Sequence, residues 1–499
     1  MMNVAAGFGS EVVKLVCAFI LPRLILTNFG SAYNGITQSI SEFISCIALM
    51  KAGIGGATKV ALYKALADGD RKEISQVVIT TQHFMRKVAL LFVGFVLAFA
   101  CIYPIFINNE FGFWFSFSLI LIISISTFAE YFFGYSYQLL LMADQKEYLL
   151  TGLGIFSTIL STAVSVMLIN SGCSIHITKL GAAAVSLVTP LFIYFYARKK
   201  YDIDTGVKAD MSKLPQRWDA VAHEVATFVN NNTDIMVLTI FTNLLEVSVY
   251  TVYHAVVFNI KKIIKLSVAN FASAFGDMYA KKEMDVLEDN LGVFELIVNS
   301  VVSVAHSTTL AMIVPFVLLY TKGVNDVNYA RYSFAAIAVI ASVFDCIRMP
   351  YKTVVTSIGH FRQTRNGAIF EAVLNITISV VMVIKFGIIG VSIGTLCAMT
   401  FRTLQYSIYL SRKVLSRSLK PFVGHTVLTL SIIFVVNFLV YNFMPEITSW
   451  LMWFVWAVIV GLSASLITLA TDYIFYRKYL IMLITKLLGA FGKKRKVKA

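Results

Sequence analysis

Charge is scarce in this chain. Only 14% of its 499 residues are Asp, Glu, Lys or Arg, where soluble domains carry about 25%. That deficit excludes the soluble enzyme classes. Acidic residues are rarer still, 27 against 42 basic ones, for a formal net charge of +15. Proline occurs eight times, too seldom to interrupt long helices, and short alternating segments of the β-barrel kind are missing. The six cysteines, at 17, 46, 101, 173, 346 and 397, are scattered. Their spacing excludes a disulfide framework and a metal knuckle, so no metal or cofactor is expected. The first apolar segment has no strongly basic leader and no small-residue cleavage site, so it is expected to be a retained helix. No nucleotide-binding motif is present, which leaves an ion gradient, the membrane potential or downstream consumption as the energy source for any transport.

Hydrophobic residues, by contrast, make up 58% of the chain. A window of about 20 residues predicts about fourteen spanning helices. They lie near 5–28, 34–58, 84–106, 114–141, 150–170, 179–197, 218–241, 247–275, 292–320, 330–350, 366–385, 388–410, 424–444 and 450–475. The expected fold is an all-α polytopic membrane protein. With the N-terminus in the cytoplasm, inner loops and tail hold 28 lysines and arginines, against four outside (Lys179, Lys322, Arg331 and Lys385). This positive-inside bias places both termini in the cytoplasm. It also accounts for most of the net charge, so nucleic acid is not an expected partner.

The chain repeats itself. Arg71-Lys72-Glu73 after the second segment aligns with Lys281-Lys282-Glu283 after the eighth, a shift of 210. GIFSTILSTAVSVMLI at 154–169 is similar to AIFEAVLNITISVVMV at 368–383. An even number of helices per repeat predicts two six-helix halves related by an axis along the membrane normal. The expected organisation is an N-terminal half over 1–198, a polar cytoplasmic linker over 199–217, and a C-terminal half over 218–415. Two appended helices follow over 416–476, then a basic amphipathic tail over 477–499 that suits an anionic lipid surface.

Charges inside the apolar segments are the candidate site residues. A cation at membrane depth costs roughly 2.5–3.5 kcal/mol on insertion scales and usually faces a cavity or a partner. Arg23 sits deep in the first segment, and the repeat sets it opposite position 233, beside Asp234 in FVNNNTDIMVL. The pair reads either as an ion pair that locks the halves or as a substrate or coupling-ion site that trades partners. Lys51 lies beside Gly53, Gly55 and Gly56, where close packing or a helix break is expected. Lys261, Lys262 and Lys265 fall at helical spacing, and Lys262 is taken as a cavity cation; the alternative is snorkelling to the headgroups. Arg348 with Asp345 three residues earlier reads first as an intrahelical pair and second as a site. Lys59, Asp219 and Arg402, each within a turn of a segment end, are expected to snorkel to the interface. Asn231 to Asp234 form a polar run that lines a water path or bonds to another helix. Arg23, Lys51, Lys262 and Arg348 are therefore the candidate binding cations, and Asp234 and Glu11 the candidate ion-coupling carboxylates.

Four stretches, LPRLILTNFGSAYNG, AGIGGATKVALYKALADGDRKEIS, NNTDIMVLTIF and IIGVSIGTL, together resemble the Wzx-type oligosaccharide flippases. These belong to the multidrug/oligosaccharidyl-lipid/polysaccharide exporter superfamily, and the likeness covers about residues 5–415. The resemblance implies a non-enzymatic transporter of the bacterial cytoplasmic (inner) membrane. Such a protein moves undecaprenyl-diphosphate-linked oligosaccharide repeat units to the outer leaflet for surface polysaccharide assembly. Its implied partners are the lipid-diphosphate-linked oligosaccharide, membrane lipids, H+ or Na+, and a polysaccharide polymerase. An electropositive cavity suits that cargo, because Arg binds phosphate bidentately. Two alternatives remain: a multidrug or organic-cation exporter, which would favour acidic cavity groups, and a polytopic glycosyltransferase or polymerase. The latter needs a sizeable external loop, and the longest here is about ten residues, near 321–331.

Overall fold

The computed structural model describes residues 2–46, 49–107, 110–211, 221–268 and 271–496, and every regular element among them is helical. The chain divides into two compact units. The first holds Met1–Thr251 and Gly323–Val327; the second holds Val252–Lys322 and Asn328–Ala499.

In the first unit, α1 (Met2–Phe29), α2 (Ser31–Ser45), α3 (Leu49–Asp68) and α4 (Arg71–Phe106) are followed by α5 (Phe113–Ala129). A π turn at Glu130–Gly134 joins α5 to α6 (Tyr135–Ala143), and then come α7 (Glu147–Asn170), α8 (Ile175–Tyr201) and α9 (Val221–Phe241). The next helix, α10 (Leu244–Val268), starts in this unit and continues into the second. The core is packed by residues such as Ile36, Leu62, Val78, Phe92, Leu119 and Leu140. Local signals set the helix starts. Asp70 caps α4, its Oδ1 accepting from the Lys72 N–H at 2.9 Å and the Glu73 N–H at 3.0 Å, which satisfies donors that the first turn leaves free.

The second unit adds α11 (Ala272–Ala280), α12 (Met284–Tyr320), α13 (Tyr332–Ile347), α14 (Met349–Ser357), α15 (Phe361–Phe386) and α16 (Ile388–Tyr409). It ends with a π turn at Leu410–Val414, then α17 (Lys420–Phe443), α18 (Trp450–Phe475) and α19 (Arg477–Lys496). Leu287, Phe294, Val298, Val343, Ile347 and Leu410 build its main core. Large apolar side chains also point outward, among them Ile384, Phe434, Phe443, Leu451 and Leu466. Helices that are apolar all round belong in lipid, and the chain is a multi-pass membrane protein.

Among the described residues, eleven helices are long and apolar enough to cross a membrane. The difference from fourteen lies in three segments. The stretch at 34–58 resolves into α2, of 15 residues, and the start of α3, which carries Lys51, Lys59 and Lys64. In α9 the segment carries Asn230, Asn231, Asn232 and Asp234 in its sequence. The third is α10, with Glu246, Lys261, Lys262 and Lys265. Polarity sets α9 and α10 apart, while the 34–58 stretch is divided between two helices.

The segment expected as a linker, 199–217, starts inside α8, and its 212–217 part lies outside the described residues. Its 202–211 part folds back on α4: the Asp204 N–H donates to Ser75 Oγ at 3.1 Å and the Asp210 N–H to Thr80 Oγ1 at 2.9 Å. The tail is helical as α19, and 497–499 lie outside the described residues.

Two places generate predictions. A Cβ at Gly390 would lie 2.4 Å from Met382 O, and one at Gly394 would lie 2.2 Å from Ser379 Oγ. This small-x-x-x-small pair is what lets α15 and α16 touch. Gly394→Val should cost about 1–3 kcal/mol, seen as a lowered thermal midpoint of the purified protein. At the end of α6, Asp144 accepts hydrogen bonds from Lys146 and from the Tyr201 hydroxyl of α8. Burial works against its charge, and those two donors outweigh it, holding the Asp144 carboxyl below the usual carboxylate range. A depressed carboxylate stabilises the fold at neutral pH, and that contribution is lost as pH falls through its lowered value. Asp144→Asn should therefore lower the midpoint at neutral pH and flatten its acid limb.

Candidate functional site

Among the described residues, each unit holds a charged cluster within its helices. In the first unit, Lys51 Nζ pairs with Glu130 Oε1 at 3.1 Å. The ammonium also stands over the rings of Tyr131 and Tyr135, 5.2 and 5.4 Å from their centroids. Glu130 opens the π turn between α5 and α6, and such turns shift a side chain out of the helical register. Tyr135 Oη donates to the Lys51 carbonyl at 3.4 Å. Lys51 is thus half-buried, held by a carboxylate and an aromatic wall.

A second polar zone of this unit joins α2, α9 and the start of α10. Asn34 donates to Ser248 at 2.9 Å, and Thr239 donates to Ser39 at 2.8 Å. Asp234 is buried and accepts from the Tyr250 hydroxyl at 2.7 Å. Glu42 lies half-buried on the same α2 helix. Arg23 is half-buried on α1, which packs on α7 and α2, while α9 packs on α2 and α3. Glu11 pairs with Lys14 at 3.3 Å along α1. The side chain of Asn231 lies outside the described residues.

In the second unit a chain of ion pairs crosses four helices. Lys261 on α10 meets Asp345 on α13 at 3.0 Å. Asp345 pairs with Arg348, at the α13–α14 junction, and Arg348 Nη1 reaches Glu371 on α15 at 2.6 Å. Glu371 also holds Arg402 on α16 at 3.2 Å. Arg402 donates further to the Thr364 carbonyl at 3.0 Å and to the Tyr406 hydroxyl at 2.9 Å. Its guanidinium lies 4.3 Å from the centroid of the Tyr406 ring. Three cations against two carboxylates leave this buried chain one positive charge in excess.

Several expectations are revised here. Arg402 does not snorkel: it is 3% exposed and anchored on Glu371. Lys261 of the three-lysine run joins the network, and Lys262 is half-buried one residue on. The Arg348–Asp345 pair is present, with Glu371 as a second partner that sequence spacing gave no hint of. Glu371 and Arg402 are 31 residues apart, on helices joined by the Gly387 turn, and neither has a signature in its own segment. Of the candidate residues, Arg348 lies in this chain, Lys51 in its own pair, and Arg23, Asp234, Glu11 and Lys262 in neither. Among the described residues, no group of three or more His, Cys, Asp or Glu side chains is placed to hold a metal ion.

The buried chain supports one prediction. Removing one member of a buried ion pair leaves an uncompensated charge, at about 3–5 kcal/mol, while replacing both members by apolar groups costs far less. Glu371 holds both Arg348 and Arg402. Glu371→Leu, which leaves three cations against one carboxylate, should therefore lower the thermal midpoint sharply, while Arg402→Met, which leaves two against two, should lower it less.

No family model matches the chain, and no curated protein sequence matches it either. Solved structures do. The lipid II flippase MurJ, in an inward closed conformation, superposes with a TM-score of 0.72 at 16% identity, over 96% of this chain and 99% of that one. A multidrug resistance MATE family transporter of the MOP superfamily, inward-facing, gives 0.61 at 14% identity, over 85% of this chain and 95% of that one. At these identities the likeness is one of architecture: the chain has the helical fold shared by the lipid II flippase MurJ and the MATE transporters.

Proposed function

We propose that this protein flips undecaprenyl-diphosphate-linked oligosaccharide repeat units from the inner to the outer leaflet of the bacterial inner membrane. In this reading its termini are cytoplasmic, it works by alternating access, and its product feeds surface polysaccharide assembly. The observation that carries the reading is the cation excess of the Lys261–Asp345–Arg348–Glu371–Arg402 chain. A lipid diphosphate must take its negative charge through a low-dielectric core, and its phosphate oxygens need fixed donors there in place of water. Arg348 bridges two carboxylates, so an incoming phosphate competes with Asp345 and Glu371 for one guanidinium. Arg23, Lys51 and Lys262 are the further proposed phosphate-facing cations. Asp234 and Glu11 are the proposed carriers of the coupling H+ or Na+.

A second reading has support of its own. The lipid II flippase MurJ superposes over nearly the whole chain, and lipid II offers the same diphosphate with a different sugar. An organic-cation exporter fits less well, because a cationic substrate gains nothing from buried arginine.

The deciding experiment measures flipping of a fluorescent undecaprenyl-diphosphate oligosaccharide in proteoliposomes, with unlabelled lipid II and an organic cation as competitors. Wild type should flip the oligosaccharide lipid, and Arg23→Ala, still folded, should lose at least about tenfold in rate, equivalent to about 1.4 kcal/mol. Inhibition by lipid II at equal concentration would move the assignment to the lipid II reading. Transport of the organic cation without lipid flipping would overturn both.

A further inference from the structure

The appended helices α17 and α18 hold a buried carboxyl group that the proposed transport chemistry does not use. Asp472, in the last turn of α18, is 5% exposed, and among the described residues no Lys or Arg nitrogen lies within 4 Å of it. By contrast, Glu295 on α12, also buried, is held by Arg417. The polar contact of Asp472 is the Ser300 hydroxyl on α12: Ser300 Oγ lies 2.6 Å from Asp472 Oδ2 and 2.7 Å from the Leu296 carbonyl oxygen. One hydroxyl has one proton, and both acceptors stand at full hydrogen-bond distance. With an ionised Asp472, that single proton would be shared and a buried negative charge left almost uncompensated. With a carboxylic acid, Asp472 donates to Ser300 Oγ and Ser300 donates to the Leu296 carbonyl, so the Ser300 hydroxyl, the carbonyl and Asp472 Oδ2 each have a partner.

We propose that Asp472 is a proton-binding site, occupied in this arrangement, and that loss of its proton to water unseats the α18–α19 elbow from α12. The elbow rests on one α12 stripe, Gly292, Leu296 and Ser300, spaced four residues apart. A Cβ at Gly292 would lie 2.3 Å from Tyr479 Cε1, so the ring of this first-turn α19 residue occupies the space a side chain would fill. Asp472 and Tyr479 thus grip the same stripe from the two arms of the elbow.

The neighbouring charges leave Asp472 as the group that changes state. On α12, Glu295 is paired with Arg417, and Asp289 is paired with Lys478 of α19 at 2.8 Å. On α17, His425 stacks on Tyr476 with ring centroids 3.8 Å apart, and its Nε2 is buried without a hydrogen-bond partner. Arg477 of α19 stands over the Tyr473 ring at 5.3 Å. Thr468, one turn before Asp472 on α18, is buried with an unpartnered hydroxyl. Deprotonation would add a charge whose cationic neighbours are already engaged by Glu295, Asp289 and the Tyr473 ring, and water gained by opening the elbow is the nearest compensation.

The test uses the full chain in lipid nanodiscs. Infrared difference spectra across a rising pH step should show loss of a protonated-carboxyl C=O band in the wild type. The band should be missing in Asp472→Asn and moved in Ser300→Ala. Hydrogen exchange of α19, corrected for the intrinsic pH effect, should rise about tenfold over the same step in the wild type and stay flat in Asp472→Asn. Gly292→Leu should loosen α19 at every pH yet keep the infrared band, which separates proton binding from docking. Should Asp472→Asn fail to fold, Asp472→Glu must shift the band and the exchange step together. An unchanged band in Asp472→Asn, or an α19 step that persists without it, overturns the proposal. None of these readouts depends on the identity of the transported molecule.

Discussion

The constraint on which this structure most depends is the expense of charge away from water. A lone ion in a low-dielectric interior costs several kcal/mol even after relaxation, and the chain answers that cost by linking charges rather than avoiding them. The sequence Lys261–Asp345–Arg348–Glu371–Arg402 ties α10, α13, α15 and α16 together through alternating signs. Each member satisfies two demands: it compensates a neighbour, and it fixes the register of its helix against the next.

The fold was legible because membrane burial writes itself into composition. Among the described residues, eleven stretches carry enough apolar residues to be recognised without any knowledge of their neighbours. The three that fall short, in α2–α3, α9 and α10, are those where polar residues serve contacts: Lys51 with Glu130, Asp234 with Tyr250, Lys261 with Asp345. Hydropathy marked them as helical and charges marked them as unusual, but the partners were out of reach. Pairs within one turn, such as Asp345 and Arg348, can be read from spacing. Pairs between helices, such as Glu371 and Arg402, follow from packing, which Gly390 and Gly394 set by letting α15 and α16 approach. Arg402 was misread for the same reason: its distance from a helix end suggested access to water, and only the neighbouring helix withdraws it.

The two units meet the same problem with different chemistry. In the second, guanidinium groups dominate, and each bridges or forks between acceptors. The first relies on one lysine against one glutamate, with two tyrosine faces sharing the ammonium, and on hydroxyl and amide groups elsewhere. Lysine gives a compact charge that can leave one partner for another. The arginine chain is held by several directed bonds at once and resists the same exchange. The pair of the first unit is half-buried, and the arginine chain of the second is the more deeply buried and the more heavily bonded.

The same logic explains how α17 and α18 stay attached to the second unit. Lipid chains are as apolar as leucine, so burial of hydrophobic area gives little drive for one membrane helix to leave lipid for another. The 37-residue α12 supplies that drive on three faces. Asn299 and Ser303 accept and donate toward Thr429 of α17 at 3.3 Å, Ser300 meets Asp472 of α18, and His306 meets Ser342 of α13 at 3.0 Å. Each contact is worth about 0.6–2 kcal/mol in a membrane, modest alone and sufficient together to orient the helix. Polar residues in α12 thus act as an address, assigning each neighbour to one face. A helix made uniformly apolar would pack as densely and specify far less.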